Sequence, residues 1–153
     1  MAWLTEIEKA YLAGLIDGEG SISIKKRIKG KPKRITPEYR LVITVTNTCR
    51  DVIYFILDKI KGMSGFYTKF ERIRNLKRKP IFEIQLRDKT AELLLKEIFP
   101  YLIIKKKQAE LGLRLRETFS EKYNRWNKIP STIQEIRENC YQEIKRSNQR
   151  GIK

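Results

Sequence analysis

Two carboxylates near the N-terminus lie at the end of a predicted helix where negative charge is unfavourable. Asp17 and Glu19 alternate with Gly18 and Gly20 at the carboxyl end of a segment whose apolar residues have helical spacing. The carboxyl end of a helix carries partial negative charge, so acidic side chains there favour the presence of a cation. The alternative is a glycine-rich turn that simply ends the helix and leaves Glu19 in solvent. Glu19 is therefore a candidate ligand for a positively charged ion.

The residue types that are missing limit the chemistry further. The chain contains no histidine, and Cys49 and Cys140 are its two cysteines. A zinc site, a Ser-His-Asp or Cys-His catalytic set and a histidine acid or base are all excluded. Chemistry in this chain must use carboxylates, lysines, amides or a bound metal ion.

The charge of the chain points to a polyanionic partner. Its 153 residues include 34 Lys and Arg against 18 Asp and Glu, a net charge of +16. Such an imbalance exceeds what solubility requires, and the repulsion between like charges destabilises the folded chain. The apolar runs are too short to span a bilayer, so we expect a soluble, intracellular protein with no membrane partner and reduced cysteines.

The elements that position these residues follow from periodicity. Residues 5–17 predict a helix that begins with a capping box of Thr5 and Glu8. Alternation predicts strands over residues 21–28, 39–48, 66–74 and 80–87, the last two joined by a basic turn at residues 75–79. Further helices are predicted over residues 50–61, 90–99, 105–119 and 131–149. The order α-β-β-α-β-β-α predicts an α+β fold with a four-stranded antiparallel sheet, a core over residues 1–125, and a helical extension of the same domain over 126–153.

One face of this sheet is predicted to pack against helices and the other to be polar. The predicted core side is Ile22, Ile24, Leu41, Ile43, Val45, Phe66, Phe70, Phe82, Ile84 and Leu86. The opposite side mixes hydroxyl, amide, acidic and basic groups, which is what base recognition in the major groove requires. A merely solvated face is the alternative. The candidate DNA-reading residues are Ser23, Lys25, Arg27, Arg40, Thr44, Thr46, Tyr67, Lys69, Glu71, Glu83 and Gln85.

A stripe of small residues runs along one face of the first predicted helix. Ala10, Ala13, Gly14 and Asp17 share one helical face. Gly14 should cost about 1 kcal/mol relative to Ala within a helix, so another interaction must offset it. Small residues let two helix backbones touch, and we expect these four residues to form a dimer interface.

Residues 12–20, with the sequence LAGLIDGEG, resemble the signature of the LAGLIDADG homing endonucleases. They differ from it by Gly18 for Ala and Glu19 for Asp, so the penultimate carboxylate is retained. The resemblance covers roughly residues 5–119. Weaker local similarity to single-motif members of the family occurs at residues 45–47, 55–59 and 99–109.

The resemblance implies an intron-encoded enzyme that makes a staggered double-strand break in a long pseudo-palindromic DNA site, with Mg²⁺ and without a small-molecule cofactor. By motif match, Glu19 and the Gly18 carbonyl hold the metal, and Lys105 supports the scissile phosphate. Asn47 falls at a position where related members carry Gln or another polar residue that orders water. Asp17 resembles a structural residue at the end of the helix. Residues 109–115 lack the terminal acid of a second motif, so one motif per chain implies a homodimer on double-stranded DNA.

Other functions are compatible with the same features. An RNA maturase that assists splicing would bind intron RNA on the same basic scaffold. A transcriptional regulator derived from an endonuclease would be expected to have lost the acid and gained a helix-turn-helix segment. A generic RNA-binding protein explains the charge but not the motif.

Overall fold

The computed structural model describes residues 3–29, 36–63, 66–72, 78–123 and 128–149. The elements are α1 (Glu6–Glu19), β1 (Gly20–Lys29), β2 (Thr36–Asn47), α2 (Arg50–Ile60), β3 (Phe66–Arg72), β4 (Ile81–Arg87), α3 (Asp88–Ile98), a 3₁₀ turn (Phe99–Tyr101), α4 (Lys106–Glu117) and α5 (Ser131–Ser147). This order confirms the predicted α+β fold. Most of the predicted basic turn at residues 75–79 lies outside the described residues. None of the helices in the described ranges is long and apolar enough to cross a membrane.

The first helix begins as its sequence predicts and ends later. The Thr5 hydroxyl accepts from the Glu8 amide at 3.3 Å, and the Glu8 carboxylate accepts from the Thr5 amide at 2.9 Å. This reciprocal pair is the predicted capping box. At the other end, the Gly20 amide still donates to the Ile16 carbonyl. Glu19 is consequently the last residue of α1, and Gly18 lies within the helix.

The four strands form one antiparallel sheet in the order β1-β2-β4-β3. Ile22 pairs with Ile43, which pairs with Leu86 on its other side, and all three are almost fully buried beneath the helices. One residue along, Ser21 pairs with Thr44 and Thr44 with Gln85. The predicted alternation is therefore confirmed for β1, β2 and β4. We call the side that faces away from the helices the outer face.

The edge strand β3 has the opposite phase to the one its sequence predicts. Tyr67 pairs with Leu86, and Lys69 pairs with Ile84. Residues directly opposite one another in antiparallel strands share a face of the sheet. Positions 67, 69 and 71 therefore belong to the inner face.

This register differs from the alternation predicted for β3, but the side chains of the predicted readers Tyr67 and Lys69 and of the predicted core residues Phe66 and Phe70 lie outside what the structure describes; Glu71 is exposed. Adjacent aromatic residues at 66 and 67 fit either phase, and a one-residue shift of register exchanges the two faces. The pairing with β4 determines the phase, and hydrophobicity within β3 does not report that pairing.

Helix α4 lies close to the sheet because it contains Gly112. A Cβ at this position would lie 2.7 Å from the Cδ1 atom of Leu41 on β2, too close for any side chain without a shift. Gly112 and Ala109 are both buried. The partial resemblance of residues 109–115 to the motif therefore reflects helix-to-sheet packing.

Helix α5 is fastened to the edge strand β1 and its neighbour β2. The Glu138 carboxylate accepts hydrogen bonds from Lys26 Nζ at 2.7 Å, Gln142 Nε2 at 2.8 Å and the Tyr39 hydroxyl. At the end of the helix, Asn148 Nδ2 donates to the Ile22 carbonyl at 2.9 Å. The C-terminal helix thus covers part of a strand edge that would otherwise be open.

These contacts predict a pH-dependent contribution to stability. Burial alone would raise the pKa of Glu138, but the bonds from Lys26, Tyr39 and Gln142 outweigh it and lower the pKa to about 2. A carboxyl whose pKa is lower in the folded state stabilises the fold above its unfolded pKa, and the effect is lost as the pH falls toward the folded value. We expect Glu138→Gln to lower the free energy of unfolding by about 1 kcal/mol at pH 7.

Chemical denaturation from pH 7 to pH 2 measures this effect. The difference between wild type and Glu138→Gln should stay constant down to about pH 5 and shrink below it. Glu135→Gln, on the exposed side of the same helix, is the control and should change little. A difference between wild type and Glu138→Gln that persists undiminished at pH 2 would contradict the assigned contacts.

Candidate active site and nucleic-acid interface

Lys105 meets the motif at the carboxyl end of α1. Its Nζ atom donates to the backbone carbonyl of Asp17, although the two residues are 88 positions apart. The last turn of α1 contains no basic residue of its own. Lys105 therefore supplies positive charge at the negative end of this helix. The fold thus brings the predicted lysine to the backbone of Asp17, which lies two residues before Glu19 in the sequence.

The Asp17 carboxylate is directed at a loop rather than at solvent. One oxygen accepts from the amides of Ile103 at 2.8 Å and Ile104 at 3.1 Å, and the other accepts from the amide of Lys105 at 2.9 Å. Burial alone would raise the pKa of Asp17, but these bonds outweigh it and hold the pKa below its usual value. The sequence indicated a structural role at the helix end, but the partner loop was not predictable from spacing.

Glu19 opens into a depression of about 210 Å³, lined also by Thr46, Asn47, Thr48 and Ile81. Glu19 is exposed, and Asn47 is half-buried. The pairing of Gly20 with Val45 explains this juxtaposition, because Glu19 immediately precedes β1 and Thr46 immediately follows Val45 in β2. The fold therefore brings Glu19 and Asn47 together in one depression, and it brings Lys105 to the backbone of Asp17, two residues before Glu19.

Asn47 also has a local structural role that its sequence position did not reveal. Its Oδ1 atom accepts from the Cys49 amide at 2.7 Å, in a turn that leads directly into α2. Asn side chains commonly bond to the backbone two residues on in this way. One lone pair of this oxygen is therefore used within the chain, and the Nδ2 group is a donor of Asn47 that could order a water.

The end of α1 suits a hard divalent cation, but one chain supplies only part of a coordination shell. Within the described residues, no three Asp, Glu, His or Cys side chains come together as a metal site. Glu19 offers an exposed carboxylate, and Gly18 leaves open space beside it, with no atom within 4 Å of a Cβ at that position. Mg²⁺ binds few protein carboxylates and keeps oxygen ligands from water and phosphate. The residues present fit such an ion, with the remaining ligands coming from outside the chain.

A hydrogen-bonded row of side chains crosses the outer face from this depression. Thr46 Oγ1 donates to Glu83 at 3.1 Å, Gln85 Nε2 donates to Glu83 at 2.9 Å, and Arg87 donates to Gln85 at 3.1 Å. Arg87 was not among the predicted readers, although the alternation of β4 places it on this face. These bonds fix the orientation of the amide and hold polar groups at regular spacing.

The rest of the outer face is mostly polar, as the alternation predicts. Val42 is an exception, because it is 4% exposed and lies between Ser23 and Arg87 in the pairing. Lys25 and Arg27 are exposed, and Arg40 and Thr44 are half-buried. The predicted readers that the structure places on the outer face are Ser23, Lys25, Arg27, Arg40, Thr44, Thr46, Glu83 and Gln85.

Two members of the predicted dimer stripe are exposed, and the other two are used within their own chain. Ala10 and Gly14 are exposed, whereas Ala13 is fully buried in the core of its own chain. Asp17 uses both carboxylate oxygens within its chain. Four residues at helical spacing cover more than one narrow line of a helix, so spacing alone did not separate the buried edge of the stripe from the exposed one.

Two apolar residues extend the exposed part of this stripe. Ile7 is 83% exposed and Tyr11 is 49% exposed, although both are apolar residues at helical spacing in α1. With Ala10 and Gly14 they follow the i, i+3, i+4, i+7 pattern of one helix face. We call Ile7, Ala10, Tyr11 and Gly14 the α1 face.

The α1 face adjoins further apolar surface. An apolar groove of about 410 Å³ runs beside Ile7 and Tyr11, with Val52 and Phe55 of α2 among its lining residues. At the other end, Ile103 and Ile104 in the loop bound by Asp17 are 85% and 70% exposed. Exposed apolar surface of this kind is typical of interaction sites in folded proteins.

The sequence matches the family model described as LAGLIDADG endonuclease over residues 12–130. This match extends beyond the motif through the sheet and into the segment before α5. No individual curated protein matches the chain at a significant level.

Solved structures with the same fold are available. The homing endonuclease I-CvuI, in complex with the I-CreI target with 2 mM Mg and the DNA not cleaved, has a TM-score of 0.69 and 21% identity over 97% of this chain and 85% of its own. The archaeal intron-encoded I-Vdi141I, complexed with DNA, has a TM-score of 0.70 and 14% identity over 97% of this chain and 88% of its own. I-GzeII, in complex with its DNA target, is matched over 46% of its length, with a TM-score of 0.61 and 15% identity. At these identities the likeness is one of fold.

Proposed function

The chain belongs to the LAGLIDADG endonuclease family, and from this premise we propose that it is a site-specific DNA endonuclease. In this proposal, a homodimer makes a staggered double-strand break in a pseudo-palindromic site. The observation that carries it is the arrangement at the end of α1. There Glu19 and Asn47 line one depression beside the outer face of the sheet, and Lys105 Nζ donates to the Asp17 carbonyl two residues before Glu19.

The outer face is the proposed DNA-binding surface. Its side chains include Arg and Gln, which read guanine and adenine in the major groove, and hydroxyl and carboxylate groups that accept or donate to other base edges. The net charge of +16 supplies the phosphate contacts that position the protein on a duplex. Since the related complexes described above contain DNA, we propose double-stranded DNA rather than intron RNA as the substrate.

The chemistry is proposed to take place at the end of α1. Glu19 and the Gly18 carbonyl would hold a divalent cation, with Mg²⁺ the proposed ion. Such an ion, when bound, supplies Lewis-acid stabilisation of the phosphate and activates water. Lys105 places a fixed positive charge where negative charge develops on the phosphate, and Asn47 Nδ2 orients a water for attack. No histidine is required.

Two chains are needed because one chain provides one Glu19. Cutting two strands requires a set of these groups for each strand, and a second copy supplies it. The α1 face supports this assembly, since it presents Ala10 and Gly14 for close helix contact, with Ile7 and Tyr11 exposed beside them. Two motif helices packed through these faces would place both Glu19 residues near the centre of the site.

Selection of cleavage sites from a randomised DNA library tests the proposed function. Strand β1 has ten residues, and at about 3.3 Å per residue it spans about 33 Å. Duplex DNA advances about 3.4 Å per base pair, so each subunit should cover about ten base pairs. We expect a recovered site of about twenty base pairs with two-fold symmetry and a cut near its centre. A recovered site under about ten base pairs, or one without two-fold symmetry, would contradict the proposed docking.

A further inference from the structure

We propose that Asp17 is a positioning residue for Lys105, and that it sets the place of the lysine amine relative to Glu19. This inference rests on the proposed function, because it concerns the rate of DNA cleavage. It assigns Asp17 to neither the metal nor the dimer interface. Asp17 would act through the loop that carries Lys105, without touching the DNA.

Asp17 accepts two separate hydrogen bonds from Lys105. Its carboxylate accepts from the Lys105 amide at 2.9 Å, and its backbone carbonyl accepts from Lys105 Nζ. The two preceding amides, of Ile103 and Ile104, bond to the same carboxylate. Both ends of the lysine are thereby fixed to one residue, which lies two positions before Glu19.

Little else among the described contacts holds this loop. Ile103 and Ile104 are largely exposed and therefore gain little from packing, while Leu102 before them is buried. Lys105 is the N-cap residue of α4, and its side chain makes no capping bond. The Asp17 carboxylate, at the end of α1, takes the capping role instead. The start of α4 is the positive end of that helix, which favours a carboxylate. The carboxylate thus joins the end of α1 to the start of α4.

Asp17→Asn tests this role with little change in size. An amide retains one acceptor oxygen but replaces the other by a donor, which cannot accept from the loop amides. We expect the single-turnover cleavage rate at saturating protein to fall about 10- to 100-fold, the effect of a small misplacement of a reacting group. The dissociation constant for DNA should change less than about 3-fold, because Asp17 lies off the outer face.

A double-mutant cycle with Lys105→Met identifies the residue through which Asp17 acts. Lys105→Met alone should slow cleavage about 100-fold, since it removes a charge that stabilises the transition state. If Asp17 acts through Lys105, the double variant should be no more than about 2-fold slower than Lys105→Met. Losses that multiply in the double variant would overturn the proposal.

Amide hydrogen exchange gives a readout that does not depend on activity. Residues 103–105 should exchange faster in Asp17→Asn than in wild type, and unchanged protection there would also overturn the proposal. If Asp17→Asn folds poorly, Asp17→Ser removes the carboxylate with a smaller side chain and should likewise slow cleavage and speed exchange at residues 103–105; wild-type values for both would contradict the role.

Asp58→Asn is the matched control, because Asp58 is an exposed acid two residues before the last residue of α2, as Asp17 is in α1. It should change neither rate nor exchange at residues 103–105. Absence of cleavage by the wild-type protein would refute the proposed function. Cleavage by Asp17→Asn at the wild-type rate would refute only this inference.

Discussion

Replacing Glu19 by Gln should abolish DNA cleavage while leaving specific DNA binding largely intact. The change removes a carboxylate charge at the position proposed to hold the metal. Loss of several kcal/mol of transition-state stabilisation corresponds to a rate decrease of about 10³-fold or more. Glu19 is exposed, and within the described ranges its side chain takes part in no hydrogen bond or ion pair, so folding should be unaffected. Single-turnover cleavage and equilibrium binding on the same DNA measure the two effects.

Glu117→Gln provides the matched control for this variant. Glu117 is exposed and is the last residue of α4, as Glu19 is the last residue of α1. It should cleave at the wild-type rate. When wild-type and Glu19→Gln chains are mixed, the mixed dimers should nick one strand of the site. Cleavage by Glu19→Gln at the wild-type rate would show that the carboxylate does not act in the reaction.

Replacing Gly14 by Leu should separate the two chains without unfolding either of them. A Cβ at Gly14 would meet no atom within 4 Å in its own chain, so the chain alone does not require glycine there. Leu is a better helix former, and the isolated subunit should be stabilised by about 0.5–1 kcal/mol. In a close helix contact the same side chain overpacks on both copies and should weaken association about 100-fold or more. Sedimentation and plasmid cleavage should show monomers that no longer make double-strand breaks.

Asn139→Leu is the control for the added side chain. Asn139 is exposed on α5, away from the α1 face, and the variant should remain dimeric and active. A wild-type protein that is fully active as a monomer at micromolar concentration would refute the homodimer. Gly14→Leu protein that is dimeric and cuts both strands would show that the α1 face is not the interface.

Local signals in the sequence predicted most of the fold. The Thr5 and Glu8 pair located the start of α1, because a capping box involves residues only three apart. The alternation of β1, β2 and β4 predicted their buried faces, since each strand lies beneath the helix layer for most of its length. The edge strand β3 was assigned the wrong phase because its register depends on β4 and not on its own composition.

The candidate site was predictable where one residue type carries the chemistry. Glu19 and Lys105 were identified by the motif and by similarity, and the fold brings Lys105 to the same helix end. The contacts of Asp17 were not predictable, because they join residues 86 to 88 positions apart. The exposure of Ile7 and Tyr11 was not predictable, because periodicity indicates an apolar helix face but not what covers it.

Cleavage of a supercoiled plasmid that carries the selected site tests the central claim most directly. With Mg²⁺ present, the wild-type protein should convert the plasmid to linear DNA with staggered ends, and a chelator should stop the reaction while binding to the site persists. Linear product that forms equally well in the chelator, or a plasmid that is bound at the site but stays intact with Mg²⁺, would contradict the assignment of Glu19 and Lys105 to metal-dependent cleavage.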